Sequence, residues 1–401
     1  MSEAVWVVGA AMTKFGRYDD LDAFQLGAQA ARAALADADV PIRDVGVLAA
    51  GCLQESNNAG QLLLRHIGQT GIPCYNVLNG CATGGTAVRT AVMAVKAGEC
   101  DVALAVGMEK MGKVGLLGVS HRKAERFQPT GPYGAVMNLE GVVGTNLMPA
   151  WFALIGGEYA DRYDGVGFEQ FAKVAEKNHA HSTLNPLAQY QKPFTLGEVM
   201  DAEMIAYPNT LLMCSPTGDG AAAVVVVSES KLRTLGLSQQ ARAVKVSASV
   251  ITSDPYRDGG DMQHDTFTTT RNAADQAYET AGVGPDDLDL VELHDCFATA
   301  ELCHYDSLRL CEPGGAGDFI DSGAPWRDGR LPVNVSGGLL SKGHPIAATG
   351  VANVYEVTTH LRGEAGARQI DGARVGLTHV LGGGVNGGWT TVVHILEKAA
   401  S

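Results

Sequence analysis

Short, nearly continuous apolar runs alternate along the chain with stretches whose apolar residues recur about every 3.6 positions. Val5 to Val8 and Val45 to Ala50 are runs of the first kind, and Leu21 to Ala38, stopped before Pro41, is of the second. The rhythm continues through a looser helical stretch at Leu62 to Ile67 and a strand–turn–helix unit from Tyr75 to Gly98. A strand at Val102 to Val106 follows. Val88, Val92 and Val95, with Ala87 and Ala91 beside them, mark one buried face of that helix. Strands alternating with helices in this way predict βαβ units and a parallel sheet.

Between residues 111 and 210 the rhythm breaks. Helical patterns near Ala150 to Tyr163 and Phe168 to Thr183 stand among Gly- and Pro-containing loops, and strand-like runs are scarce. This stretch reads as an inserted loop or cap domain shaping a substrate cavity. Sheet patterning resumes at Asp219 to Ser228, then at Val244 to Val250, with a helix at Thr270 to Ala281. A further strand–turn–helix unit has Val351, Val354, Tyr355 and Leu361 on its buried face. Strands at Arg374 to Thr378 and Trp389 to Leu396 close the chain. The expected division is an N-terminal half in 1–110 and 211–240, the insert in 111–210, and a C-terminal half in 241–401.

The second half repeats the first. AGVGPDDLDLVELHDC echoes ADADVPIRDVGVLAAGC, and Asn76 and Asn334 hold matching places after their strands. A pseudo-twofold relation between the halves would make the helix headed by Cys81 face the one following His344. The two residues would then meet at the carboxyl ends of strands, where open α/β sheets place their sites.

Composition narrows the function classes. Hydrophobic residues make up 46% and charged residues 18% of the 401, an ordinary globular mixture, and 50 glycines point to many tight turns. With 30 basic against 44 acidic side chains the net charge is −14, which argues against nucleic acid or an anionic membrane as partner. The one local basic knot, HRKAER at 121–126, reads as a solvated face before a phosphate patch. Eight scattered cysteines without a CxxC pair suit reduced thiols. Neither a leader nor an apolar run of spanning length is evident, so a cytoplasmic location without a membrane span is expected.

Three segments carry candidate chemistry: Cys81 in NGCATGG, His294 and Cys296 in LHDCF, and His344 in SKGHPIAATG. Taken singly, each has a plain structural reading. Cys81 and Cys296 could be core thiols, and the histidines could be satisfied internal residues. A metal set from His294, Cys296, Cys303 and His304 is disfavoured, because Cys303 and His304 fall on a helical run and need not face the same way. Together the segments equip a thiol nucleophile. A cysteine at a helix start is expected to favour the thiolate. His344 can take its proton, and His294 with the backbone N–H groups of Cys81 and the 382–384 glycine run can hold an oxyanion. Cys296 supplies a second thiol able to move a proton on carbon.

NVLNGCATGGTAV, the following GMEKM, VELHDCFATAEL and SGGLLSKGHPIAATG, in that order across nearly the whole chain, closely resemble the sterol-carrier-protein-type thiolases. The resemblance implies an α/β thiolase fold: two duplicated βαβαβ halves layered α/β/α/β/α, with an inserted loop domain. It implies coenzyme A as co-substrate with no tightly bound cofactor or metal, acyl-CoA substrates in fatty-acid or sterol side-chain degradation, and a homodimer or a dimer of dimers. By the same resemblance Cys81 is the acyl-carrying nucleophile and His344 its activator. His294 lies in an oxyanion hole, Cys296 is the acid/base on the α-carbon, and the backbone N–H groups of Cys81 and Gly382 form the other oxyanion hole. The coenzyme A contacts stay unassigned. Two departures stand out: Val380 occupies the place of the cysteine in the CxG motif of most thiolases, and Ala347 replaces the second glycine of GHPxGATG. The expected activity is acyl-CoA acyltransfer by 3-oxoacyl-CoA cleavage or its reverse. The alternatives are a thiolase-like acyltransferase or retro-aldolase working with a small partner subunit, and a non-catalytic lipid-binding relative.

Overall fold

A computed structural model describes residues 3–54, 57–112, 147–255, 266–383 and 388–399. The basic knot at 121–126, much of the inserted segment and Gly384 lie outside the described residues.

Val- and Ala-rich runs that bury both faces become the strands of one nine-stranded sheet. In chain order these are β1 (Val5–Met12), β2 (Val47–Gly51), β3 (Cys74–Val77) and β4 (Val102–Lys110). A two-stranded ribbon, β5 (Met204–Ala206) with β6 (Asn209–Thr210), lies in the insert. Then come β7 (Asp219–Ser228), β8 (Val244–Ser253), β9 (Leu290–Glu292), β10 (Val375–Gly383) and β11 (Trp389–Lys398). The order across the large sheet is β3-β2-β4-β7-β1-β8-β11-β10-β9. Val333 adds a parallel bridge to Val291 outside β9. Read inward from its two edges, the sheet presents the same succession of strands twice. The halves join where Val7 pairs Val244 and Trp6 pairs Lys245.

The expectation of a parallel sheet needs correction. Only β2–β3, β2–β4 and β9–β10 are parallel, and the central pairs are antiparallel. The connections explain why. β11 follows β10 after a link too short for the crossover that a parallel pair requires, and the long insert between β4 and β7 returns the chain in the opposite sense.

Helices complete five layers. Ala23–Ala38, capped by the Asp22 side chain, covers β1 and β7 with Leu26, Ala30 and Ala34, and Ala59–Ile67 lies beside it. Thr83–Lys96 and Ile346–Arg362 form the middle layer. They cross so closely that a Cβ on Gly350 would strike the Gly85 backbone, and one on Gly84 would sit 2.5 Å from the Ala347 carbonyl. Apolar side chains of both halves, among them Val47, Val224, Val244, Val351 and Val354, share this middle core. Each buried valine of this kind contributes about 1.5–3 kcal/mol. On the far side lie Thr266–Ala281 and Ala298–Ser307. The insert helices Leu147–Arg162 and Phe168–Ser182 pack against that layer, with Phe152 stacked on Phe297 at 5.1 Å. Among the described residues, no helix is long and apolar enough to cross a membrane.

Candidate active site

β3 ends at Val77, and the chain turns through Leu78 to Ala82 before its helix begins at Thr83. Thr83 pins the turn: its hydroxyl accepts from the Asn79 amide at 2.9 Å and donates to the Gly80 carbonyl at 2.6 Å. Gly80 has φ +52 and lies against the Gly383 backbone, a position that favours glycine on both counts. The end of β10 is docked under this turn, because a Cβ on Gly382 would clash with the Asn79 carbonyl and lie 2.6 Å from the Ala82 nitrogen. The two backbone segments expected to supply oxyanion donors are thus neighbours.

His344 stands just before the helix Ile346–Arg362. Its Nδ1 is 2.7 Å from the Thr349 hydroxyl, which donates to the Pro345 carbonyl at 3.0 Å. A hydroxyl with its proton committed can only accept, so Nδ1 carries the hydrogen and Nε2 keeps its lone pair. That Nε2 is buried without a partner. His294 follows β9, its backbone amide donating to His379 Nδ1 at 3.3 Å. The two imidazoles meet edge to face, with centroids 5.2 Å apart and planes at 78°. The Cys81 sulfur and one ring nitrogen each of His294 and His344 all lie within 4.8 Å of one another. Residues far apart in sequence therefore form one cluster, as the facing helices require.

The thiolate expectation for Cys81 is overturned. The residue keeps some exposed surface, but its sulfur faces the interior, and desolvation there pushes the thiol up to about 12; the Glu109 charge adds to the shift and a backbone hydrogen bond pulls the other way. The first helical residue is Thr83, so Cys81 stands ahead of the helix rather than on its first turn, and desolvation wins. Burial, with Lys342 nearby, lowers His344 to about 3. Burial first, then the neighbouring His344 and His304, hold His294 well below the usual imidazole range. The resting site is consequently a thiol beside neutral imidazoles. Cys296 is buried, and burial followed by the Cys81 charge raises its thiol. Its carbonyl accepts from the Ser215 amide at 3.0 Å. Val380, in the place of the more usual cysteine, packs against Ala82 and Val392.

Several positioning residues left no clear mark in the sequence. Glu109, buried at the end of β4, ties the Leu53 amide at 2.9 Å, the Gln54 amide at 3.1 Å and the Ala347 amide at 3.3 Å. An acid closing an otherwise apolar strand was the available signal. Asp295 accepts from the Leu339 amide at 2.7 Å and from Asn178 at 2.8 Å, which braces the HDCF turn against the loop leading to His344. Burial and the neighbouring Glu301 push its carboxyl up. Asn178 also reaches Glu301 at 2.6 Å, and Lys177 pairs with Glu301 at 2.8 Å. Asn334, at φ +54, accepts from the Leu293 amide at 2.8 Å and donates to Glu301 at 2.8 Å. Its counterpart Asn76 accepts from the Gly60 amide at 2.6 Å.

A cavity of about 550 Å³ has Leu340, Cys214, Ser215 and Phe194 on its wall and Arg17 and Lys192 among its lining residues. Cys81, His294, Cys296 and His344 do not line it, and its link to them is the Ser215 amide on the Cys296 carbonyl.

Comparison with known proteins agrees with this architecture. Residues 5–207 match the family "Thiolase, N-terminal domain", and residues 256–398 match "Thiolase C-terminal domain-like". Human sterol carrier protein 2 is 39% identical over 386 residues, covering 94% of this chain and 70% of that protein. An acetyl-CoA acetyltransferase of Methanothermobacter thermautotrophicus is 36% identical over 400 residues, covering 98% of this chain and 99% of its own. The solved structure of an Ltp2-ChsH2(DUF35) aldolase superposes with a TM-score of 0.79 at 26% identity, covering 98% of both chains. With family matches to both halves and relatives this similar over nearly its whole length, the chain belongs to the thiolase family.

Proposed function

We propose that this protein is an acyl-CoA acyltransferase that cleaves 3-oxoacyl-CoA with coenzyme A, or runs the reverse condensation. The observation that carries the reading is the convergence of the Cys81 sulfur with ring nitrogens of His294 and His344 within 4.8 Å. The Cys81 proton passes to His344 Nε2 as the sulfur attacks the 3-oxo carbon. Backbone N–H groups of Cys81 and Gly382 hold the resulting oxyanion. The C2–C3 bond then breaks, the acyl group stays on Cys81, and the enolate of the leaving acetyl-CoA is held by His294 and His344. The Cys296 thiol protonates the enolate carbon. Its thiolate next takes the proton of coenzyme A, whose sulfur attacks the acyl-Cys81 thioester, and the released Cys81 thiolate recovers its proton from His344. Cys81 attacks as a thiol paired with a base, so the raised thiol pKa is compatible with this sequence.

The 550 Å³ cavity beside Cys296 is the place we assign to coenzyme A, with Arg17 and Lys192 available to its phosphates in a chain of net charge −14. We further propose a homodimer formed through β3. This strand is the outer edge of the sheet, and Tyr75 and Leu78 beside it are 42% and 50% exposed. The eight cysteines are free, which supports a reducing, cytoplasmic setting. A second reading, retro-aldol cleavage with a small partner subunit, is favoured by the likeness to the Ltp2-ChsH2(DUF35) aldolase.

The test is product analysis on the isolated protein. Thiolysis requires that a 3-oxoacyl-CoA give acetyl-CoA and a shortened acyl-CoA only when coenzyme A is present. Cleavage of a 3-hydroxyacyl-CoA with an added partner subunit, and none of a 3-oxoacyl-CoA, would replace the first reading by the second.

A further inference from the structure

We propose that Cys81, His294 and His344 together form a binding site for a soft divalent cation of the zinc type, whose occupation reversibly shuts the enzyme down. The inference rests on the reading of Cys81 as nucleophile. Among the described residues this is the one place where three His, Cys, Asp or Glu donors converge so closely. The donor set is itself a zinc set: one sulfur and two imidazole nitrogens, leaving a fourth position open.

The surroundings favour it further. His344 presents an unpartnered Nε2 lone pair while Thr349 holds its Nδ1–H at 2.7 Å, the outer-shell arrangement that orients metal-bound imidazoles. His294 is buried, its backbone is held by the amide bond to His379, and its Nδ1 has no partner among the described residues, so its ring is free to turn toward a metal. Cys81 keeps partial exposure, which leaves a way in. With Zn–S near about 2.3 Å and Zn–N near about 2.1 Å, tetrahedral ligands stand roughly 3.5 Å apart, so small side-chain rotations close the trio.

In the binding step the metal replaces the thiol proton, which leaves to solvent, and no electron transfer is involved. Occupation ties up the nucleophile and its base at once, so the cation competes with acyl-CoA and a chelator restores activity.

Cobalt(II) and zinc(II) titrated into the substrate-free protein test this directly. The expected result is one cobalt ion per chain with sulfur-to-cobalt charge-transfer absorption, displaced by zinc, and zinc protection of Cys81 from iodoacetamide by peptide mass. Cys81→Ser removes the charge-transfer band. Thr349→Val, which keeps all three donors, weakens zinc binding by about 10–100-fold. Thermal melting confirms that each variant folds. A wild-type protein without the band, or folded variants that bind as the wild type does, overturns the proposal. Acylation of Cys81 is scored separately: a protein that acylates but ignores zinc sinks the metal site and leaves the reaction standing.

Discussion

The two halves bring the same strands and helices to the active site but treat them oppositely. In the first half no residue from 71 to 81 is buried, and Cys81 sits in a turn at the edge of the sheet. In the second half every residue from 331 to 350 is buried, although that stretch includes Asn334, Ser336, Ser341, Lys342 and His344. Polar groups sunk this deep must find internal partners. Glu292 meets the Ser336 hydroxyl at 2.5 Å and Lys342 at 3.4 Å, and Asp295 takes backbone amides of Leu339 and Leu340. The first-half turn is tied instead by the short-range hydrogen bonds of Thr83 and Asn79. Duplication thus supplies the scaffold, and burial is unequal across it: His344 stands in a fully buried stretch, Cys81 on a less buried turn.

The comparison can be broken most sharply at the thiol. Cys81→Ala should lower turnover by about 10⁴-fold or more, a barrier increase of about 5.5 kcal/mol, while melting stays near wild type; steady-state assays and calorimetry check both. Acid comes next. His304, His344 and His394 are lowered to about 3 and His379 below its usual range, all by burial first; in the insert His181 is lowered to about 3 and His179 is lowered in the same way, so the second half holds most of these groups. The unfolded state then binds more protons, so the stability they confer is complete above pH about 6.5 and falls by about 1.4 kcal/mol per pH unit per histidine as pH drops toward 3. Denaturant titrations should show this slope, and hydrogen exchange should place the earliest losses in β9 to β11 and in the helix Phe168–Ser182 that carries His179 and His181.

Smaller effects sharpen the contrast. Lys177→Met takes from Glu301 its buried cation, leaving only neutral donors such as Asn178 and Asn334, and should cost about 3–5 kcal/mol by denaturant unfolding. The paired asparagines give the cleanest comparison. Asn334→Ala strands a buried amide and Glu301 and should cost about 3 kcal/mol, whereas Asn76→Ala, on an exposed strand, should cost about 1 kcal/mol. Equal costs would show that the burial contrast has no energetic weight.

Much of this was legible in the chain. The apolar runs place β4 and β7, the repeat predicts that the helices after Cys81 and His344 face each other, and the motifs name the cysteines and histidines of the cluster. Local patterns do not encode partner choice, and there the reading stopped. Glu109 reaches back to Leu53 and across to Ala347, and Asn178 crosses to Asp295 and Glu301. Such pairings exist only once layers have stacked. The mixed sheet was missed because alternation predicts strands and not their sense. For Cys81, proximity to a helix start is a local feature, whereas the desolvation that raises its thiol comes from the whole fold.

The most direct measurement is the intact and peptide mass of the protein mixed with a 3-oxoacyl-CoA in the absence of coenzyme A, repeated with Cys81→Ala and Cys296→Ala. The account predicts an acyl adduct on Cys81 that coenzyme A clears. It also predicts no adduct in Cys81→Ala, and a Cys296→Ala protein that takes an acyl group from a simple acyl-CoA yet fails to cleave the carbon–carbon bond. An unmodified Cys81 in the wild type, or full turnover in Cys81→Ala, would contradict it.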